Sequence, residues 1–237
     1  MKRVFFFDLV GTLIRPRAPI GQQYAAVARR FGANLDAGAL GAAFHRAMSV
    51  LPAVQSSGES LEETASAERR WWKDLVRSVV TECDATALQP ASLFDAYFAA
   101  LYEHFTTNAA WTVFPDAPAV LDALEAAGVS AGLITNYDTR VYRVLDALDL
   151  SGRLDSVTIP ANAGVSKPDP RIFAYALARH AIGPGEALHV GDSPGDDYDG
   201  ATAAGIDALL LDRDNRHAGR AGTRRVGGLA EVLEREL

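Results

Sequence analysis

Several short apolar runs in this chain end at, or just before, a residue able to do chemistry. RVFFFDL closes on Asp8, VSAGLIT on Thr135 with Asn136 behind it, and ALHVGD on Asp192, with Asp196 and Asp197 following; Lys167 lies in the loop after SVTIP. In an open parallel sheet, ligands bind beyond the carboxyl ends of the strands, so these side chains are expected to converge on one crevice. Acids, a hydroxyl, an amide and a lysine are together the inventory for holding a phosphate and a divalent cation. Singly, each has a plainer reading: Asp8 as a turn or cap residue, Thr135 as a strand end, Lys167 before Pro168 as a solvated loop residue, Asp199 as a decoration of a helix start. The grouping carries the chemistry, not any one member.

The elements that must position these residues follow from periodicity. RVFFFDL is a continuous apolar run, which suits a strand buried on both faces. From about Pro16 to Thr107 apolar residues recur at helical spacing, as in QQYAAVARRFG, GALGAAFHRAM, SAERRWWKDLVRSVV and SLFDAYFAALYEHF. From Trp111 onward helical patterns alternate with short apolar runs: DAPAVLDALEAAG with VSAGLIT, TRVYRVLDAL with SVTIP, DPRIFAYALARHA with ALHVGD, and DDYDGATAAG with IDALLLD. That alternation predicts βαβ units and a parallel sheet. Gly128 and Gly205 stand where helix C-caps belong, and Pro170 suits a first helical turn. The expected architecture is a doubly wound α/β domain of residues 1–14 and 112–237, with an all-helical domain of residues 15–111 inserted after the first strand.

Composition sets further bounds. Of 237 residues, 49% are apolar and 22% charged, with a formal net charge of −7. These values describe an ordinary globular chain that nucleic acid and anionic membranes would repel as a whole. With Cys83 as its one cysteine it forms no intrachain disulfide and no thiolate zinc cluster, which points to a reducing cytoplasm. MKRVFFFDLVGTLI imitates a signal peptide briefly, but Asp8 interrupts it and it reads as a strand. No apolar stretch is long enough for a membrane helix. His45, His104, His180, His189 and His217 show no paired spacing and are assigned to no metal. Arg213 to Arg225 form a local basic stretch, RDNRHAGRAGTRR, without interleaved aromatics, and read as a solvated loop. Trp71 and Trp72 are expected in the core of the helical domain.

Four segments, in order, resemble the motifs of the haloacid dehalogenase-like hydrolases. FFFDLVGTL is similar to the first, a strand ending in a nucleophilic aspartate before Gly-Thr; LITN to the second; VSKPDPRIF, with its lysine, to the third; and HVGDSPGDDYDGATAAGI to the acidic fourth. The resemblance covers essentially the whole chain and implies a Rossmann-type core with a helical cap. It implies that Asp8 attacks phosphorus to give an aspartyl-phosphate, with Thr135 and Lys167 as further catalytic residues. Gly11, Thr12 and Asn136 would bind substrate, the last through its backbone amide. Magnesium would be held by Asp8, the carbonyl of Val10 and Asp192, with Asp197 acting at one remove or by orienting Lys167, and Asp196 competing for that role. PIGQQYAAVARRFG, the Trp-Trp pair and WTVFPDAP are also similar to a branch called rhythmically expressed gene product-like. A phosphorylated small molecule is the implied substrate; neither nucleic acid nor membrane is expected as a partner, and apolar surface on the helical domain would serve a homodimer equally well.

One position departs from the family's phosphatases. They carry a second aspartate two residues after the nucleophile, where it protonates the leaving group and later activates water; here that residue is Val10. Valine transfers no proton, and general acid–base catalysis contributes on the order of 10² to 10⁴ in rate. Three readings follow: a phosphatase of weak or specialised activity, a 2-haloacid dehalogenase-type hydrolase whose halide needs no proton, and a catalytically silent binding or regulatory protein. The clustered acids weigh against the second, since such enzymes work without metal.

Overall fold

The computed structural model describes residues 3–50, 60–88 and 90–236. Strand β1 (Val4–Phe7) is built from Val4 and three phenylalanines, all buried, so both of its faces pack against apolar groups. It lies inside a six-stranded sheet. Next to it are β4 (Ser130–Ile134) and β6 (Ala187–Gly191); β5 (Ser156–Thr158) lies outside β4, and β7 (Asp207–Leu211) and β8 (Arg225–Val226) outside β6. The order is β5-β4-β1-β6-β7-β8 and every pair is parallel. This is the doubly wound α/β sheet that the alternating pattern predicts. The chain fills one side of β1 with β4 and β5 and then crosses to the other with β6, so β1 stands at the topological switch point, where such sheets bind ligands.

Register brings the predicted residues to one edge. Phe7 is level with Leu133 and with Val190. Asp8, Ile134 and Gly191 therefore come next at the carboxyl edge of three adjacent strands, with Thr135 and Asp192 one residue further. Helix α8 (Pro170–Arg179) packs Ile172, Phe173 and Ala176 against Phe6 and Ile134, which anchors the sheet behind that edge. Asp169 caps α8 by accepting from the Arg171 amide, and Pro170 occupies its first turn as expected. Helix α5 (Ala117–Ala126) ends before Gly128, whose φ of +68° gives the left-handed turn of a C-cap.

The chain divides into two units, Met1–Arg15 with Val113–Asp138 and Asp149–Leu237, and Pro16–Thr112 with Thr139–Leu148. The first holds the sheet. The second is helical: α1 (Ile20–Arg29), α2 (Ala37–Val50), α3 (Leu61–Glu82) and α4 (Ala91–His104) bury Tyr24, Leu40, Leu75, Val79, Phe94 and Tyr97 together. α3 starts at a reciprocal capping box between Ser60 and Glu63. Trp71 and Trp72 are half-buried against this core, edge to face at 5.0 Å. The unit also contains α6 (Val141–Ala147), because Glu68 of α3 accepts from the Thr139 amide at 3.0 Å and from its hydroxyl, while the Arg140 guanidinium stacks on Tyr102 (4.2 Å) and Trp72 (4.8 Å). Two three-residue strands, β2 (Ile14–Pro16) and β3 (Trp111–Val113), pair where the chain passes between the units; they are too short for periodicity to reveal. Among the described residues, no helix is long and apolar enough to cross a membrane.

Candidate active site

Lys167 ties the strand ends together. Its ammonium donates to Asp8 Oδ1 (2.7 Å), to Asp197 Oδ1 (2.5 Å) and to the Ile134 carbonyl (2.9 Å), which uses all three of its protons. Lys167 is 4% exposed and Asp8 8%. Burial opposes the charged lysine, but Asp8 and Asp197 outweigh it and hold the ammonium protonated well above the ordinary range. The Lys167 backbone is held by a reciprocal pair: Asn136 Oδ1 accepts from its amide (2.7 Å) and Asn136 Nδ2 donates to its carbonyl (3.0 Å). The Asn136 side chain is thus occupied in placing Lys167, and its backbone amide is the part left for a substrate. The Thr135 amide bonds the Thr158 carbonyl at 3.0 Å, and the Thr135 hydroxyl accepts from the Tyr137 amide at 3.3 Å, which leaves the hydroxyl proton to be donated elsewhere.

Two glycines make room for the acids. Gly11 has φ +96°, and a β-carbon there would lie 2.3 Å from Asp192 Oδ2; one on Gly191 would lie 2.1 Å from Asp197 Cγ. One oxygen each from Asp8, Asp192 and Asp197 lies within 4.8 Å of the others. Burial first, then the charges of Asp8 and Asp197, push the Asp192 carboxyl up to about 7. Burial likewise raises that of Asp8 against the opposite pull of Lys167. Burial would raise Asp197 too, but Lys167 and His189 overcome it and hold that carboxyl below the usual range. Three carboxylates facing one ammonium leave a surplus of two negative charges in an all-oxygen donor set, which is the chemistry a hard divalent cation satisfies. The donor set therefore fits a metal, and Asp192, perched at a raised pKa, is the acid with most to gain from one.

The sequence left Asp196 and Asp197 in competition, and the geometry separates them. Ser193 caps a π-helical turn over Pro194–Asp199, accepting from the Asp196 amide, and this turn brings Asp197 inward to 1% exposure. Asp196 is half-buried and outside the acidic cluster. Asp199 pairs with Arg220 at 2.5 Å. Val10 is half-buried, in an isolated bridge with Ile14, and brings no ionisable group to the turn. Thr12 is fully buried, and its carbonyl accepts from Arg213. Sequence reasoning found no paired spacing for His189, assigned it to no metal and gave it no other role; it is fully buried in β6 and its Nε2 lies 3.0 Å from Asp197 Oδ1. Its only signal is its place on the same strand face as Gly191, the residue that makes room for Asp197.

The basic stretch is the largely exposed loop expected of it, and its arginines are paired with acids. Arg213 forks onto Asp116 (2.8 and 3.0 Å) and stacks on Phe114 at 3.9 Å; Arg220 pairs with Asp199, Arg225 with Asp212, Arg216 with Asp214 and Arg224 with Glu236. The fold carries Asp116 to Arg213 and Asp199 to Arg220, whereas Asp214 is two residues from Arg216 in the chain.

A parallel sheet with a strand-end aspartate, a bridging lysine and an acidic cluster at its switch point defines a Rossmann-like α/β hydrolase. The chain belongs to the haloacid dehalogenase-like hydrolase family, which it matches over residues 2–205. It is 33% identical over 215 residues, 88% of this chain and 81% of the other, to haloacid dehalogenase-like hydrolase domain-containing protein 3 of Bos taurus. It is 30% identical to a phosphoserine phosphatase of Thermus thermophilus (80% of this chain, 74% of the other) and 26% identical to the rhythmically expressed gene 2 protein of Drosophila melanogaster (88% and 82%). A 2-haloacid dehalogenase from Pseudomonas syringae is similar in structure, with a TM-score of 0.66 and 25% identity over 99% of this chain and 97% of that one.

Proposed function

We propose that this hydrolase is a magnesium-dependent phosphatase of a phosphorylated small molecule, that it works through an aspartyl-phosphate on Asp8, and that Val10 narrows its range. The observation that carries the reading is the Asp8–Lys167–Asp197 bridge beside Asp192. One oxygen of Asp8 is fixed by Lys167, which leaves the other to attack phosphorus in line with the departing oxygen. Thr135 and the Asn136 amide would hold phosphoryl oxygens, and Lys167 offsets charge shared between Asp8 and the transferring group. Gly11 and Thr12 keep the loop close to the substrate. Magnesium, held by Asp8, Asp192 and the Val10 carbonyl with Asp197 at one remove, would supply the charge neutralisation that lets a carboxylate approach a phosphate dianion. As Asp8 bonds to phosphorus, the leaving oxygen takes the electron pair of the broken bond. With Val10 in place of an acid, that oxygen departs unprotonated, which favours acyl and aryl phosphates over alkyl ones. Residues 15–111 would form the helical cap, and the single cysteine suits a reducing cytoplasm.

Val10 and the dehalogenase neighbour favour a second reading, attack of Asp8 on a halogenated carbon with the halide leaving unprotonated. The surplus negative charge at Asp192 weighs against it. Turnover of an aryl phosphate with magnesium and with EDTA tests the choice, with Asp8→Asn as control. Magnesium-dependent turnover lost in the variant supports the phosphatase. Halide release from a 2-haloacid that EDTA leaves unchanged supports the alternative, and no turnover of either points to a silent binding protein.

A further inference from the structure

Asp197 is the acid that the site uses indirectly, and it is held from three directions. Its Oδ1 accepts from Lys167 Nζ at 2.5 Å and lies 3.0 Å from His189 Nε2, while its Oδ2 accepts from the Ser193 amide at 2.9 Å. Ser193 fixes one oxygen by backbone geometry. The other oxygen lies within hydrogen-bond distance of both the ammonium and the imidazole, so its place depends on both donors.

His189 is an unusual residue for its position. It is fully buried in the middle of β6 with its ring edge-on to Phe173 at 5.3 Å, and among the described residues its Nδ1 has no hydrogen-bond partner. An ionised Asp197 only accepts, so Nε2 must carry the proton. An apolar side chain of similar volume would fill the same space without orphaning a ring nitrogen. What imidazole adds here is the single N–H aimed at Asp197. We propose that His189 is a positioning residue: its Nε2–H fixes Asp197 and, through it, the Lys167 ammonium against Asp8. The line runs from the sheet interior to the strand-end aspartate as His189–Asp197–Lys167–Asp8, with heavy-atom separations of 3.0, 2.5 and 2.7 Å.

The proposal rests on the phosphatase reading only for its kinetic consequence; the hydrogen bond itself does not. The test therefore has two arms, using His189→Gln, which keeps an N–H near the Nε2 position, and His189→Leu and His189→Phe, which keep bulk without a donor. In the first arm, two-bond nitrogen–proton NMR of histidine-labelled protein should show His189 protonated at Nε2, and the Lys167 ammonium protons should exchange faster with solvent in the Leu and Phe variants but not in Gln. A proton on Nδ1 with Nε2 bare, or ammonium exchange unchanged in every variant, overturns the proposal whatever the enzyme does. In the second arm, turnover of the aryl phosphate should fall on the order of 10- to 100-fold in kcat for Leu and Phe, with KM within about 2-fold, and recover in Gln. Equal losses in all three variants would make His189 a packing residue. If the wild type turns over no phosphate, the phosphatase reading fails and the first arm still decides the positioning role.

Discussion

Gly11 stands where a side chain would collide with Asp192: its β-carbon would lie 2.3 Å from Oδ2, and its φ of +96° is one that L-residues rarely adopt. The Gly-Thr after the strand-end aspartate is thus a spatial requirement of the acidic cluster as well as a turn requirement. Gly11→Ala should destabilise the fold by about 1–3 kcal/mol, read by urea unfolding. Calorimetric titration should also show weaker magnesium binding, because Asp192 must retreat. Destabilisation with unaltered affinity would mean that Asp192 does not hold the ion.

Among the described residues, Lys167 is the cation that bridges Asp8 and Asp197, and burial makes that bridge unforgiving. Removing one member of a buried ion pair leaves uncompensated charge and costs about 3–5 kcal/mol. Lys167→Met should destabilise by that amount. Adding Asp8→Asn should restore part of it, since a neutral amide removes the repulsion between Asp8 and the other two acids. If the double variant costs the sum of the two single ones, the groups are not coupled.

In the helical unit, Glu68 is 5% exposed and accepts both the amide and the hydroxyl of Thr139. Glu68→Ala orphans both donors at the start of α6 and should cost about 1–3 kcal/mol, while Glu68→Gln, which keeps an acceptor oxygen, should cost less. Equal losses would assign the effect to packing.

Much of the site was legible because its residues stand at strand ends. Asp8, Thr135 and Asp192 each close an apolar run, and parallel register then brings them to one edge without further information. Asp196 against Asp197 stayed open because spacing in a loop does not say which way a residue turns; the π-helical turn after Ser193 decides it. His189 was invisible because its partner lies eight residues away, beyond that turn. The pattern TRVYRVLDAL reads like any sheet-packing helix, yet Glu68 holds its first residue in the helical unit. The pairing of Arg213 and Arg220 was not legible in the basic stretch because their acids, Asp116 and Asp199, are distant in sequence.

Asp192 gives the metal-free protein a pH dependence of definite sign. Its carboxyl is raised from 3.8 to about 7 in the folded state, so between these values the folded chain binds a proton that the unfolded chain has lost. Stability from this group is complete below about pH 4 and is lost as pH rises through about 7. Asp197, held low, acts in the opposite sense, and only as pH falls below about 4. In EDTA the thermal midpoint should therefore drop from about pH 5 to about pH 7.5, and excess magnesium should flatten the drop because the cation replaces the proton. A midpoint that rises with pH over this window in EDTA would contradict the crowding of Asp192.

Val10 is the position at which the chemistry itself can be tested. It follows Asp8 by two residues in a turn that already places its neighbours, so an aspartate there would present a carboxyl without rebuilding the site. A proton donor matters most where the leaving oxygen is strongly basic and least where it departs readily as a phenolate. Val10→Asp should therefore raise kcat/KM for alkyl phosphates on the order of 10²-fold and for aryl phosphates much less, with circular dichroism confirming an unchanged fold. The ratio of the two gains is the decisive quantity, since a general improvement in binding or folding would raise both alike. Equal gains would place the limit elsewhere, and no gain with either substrate would count against Asp8 as a phosphate nucleophile restrained by its missing partner.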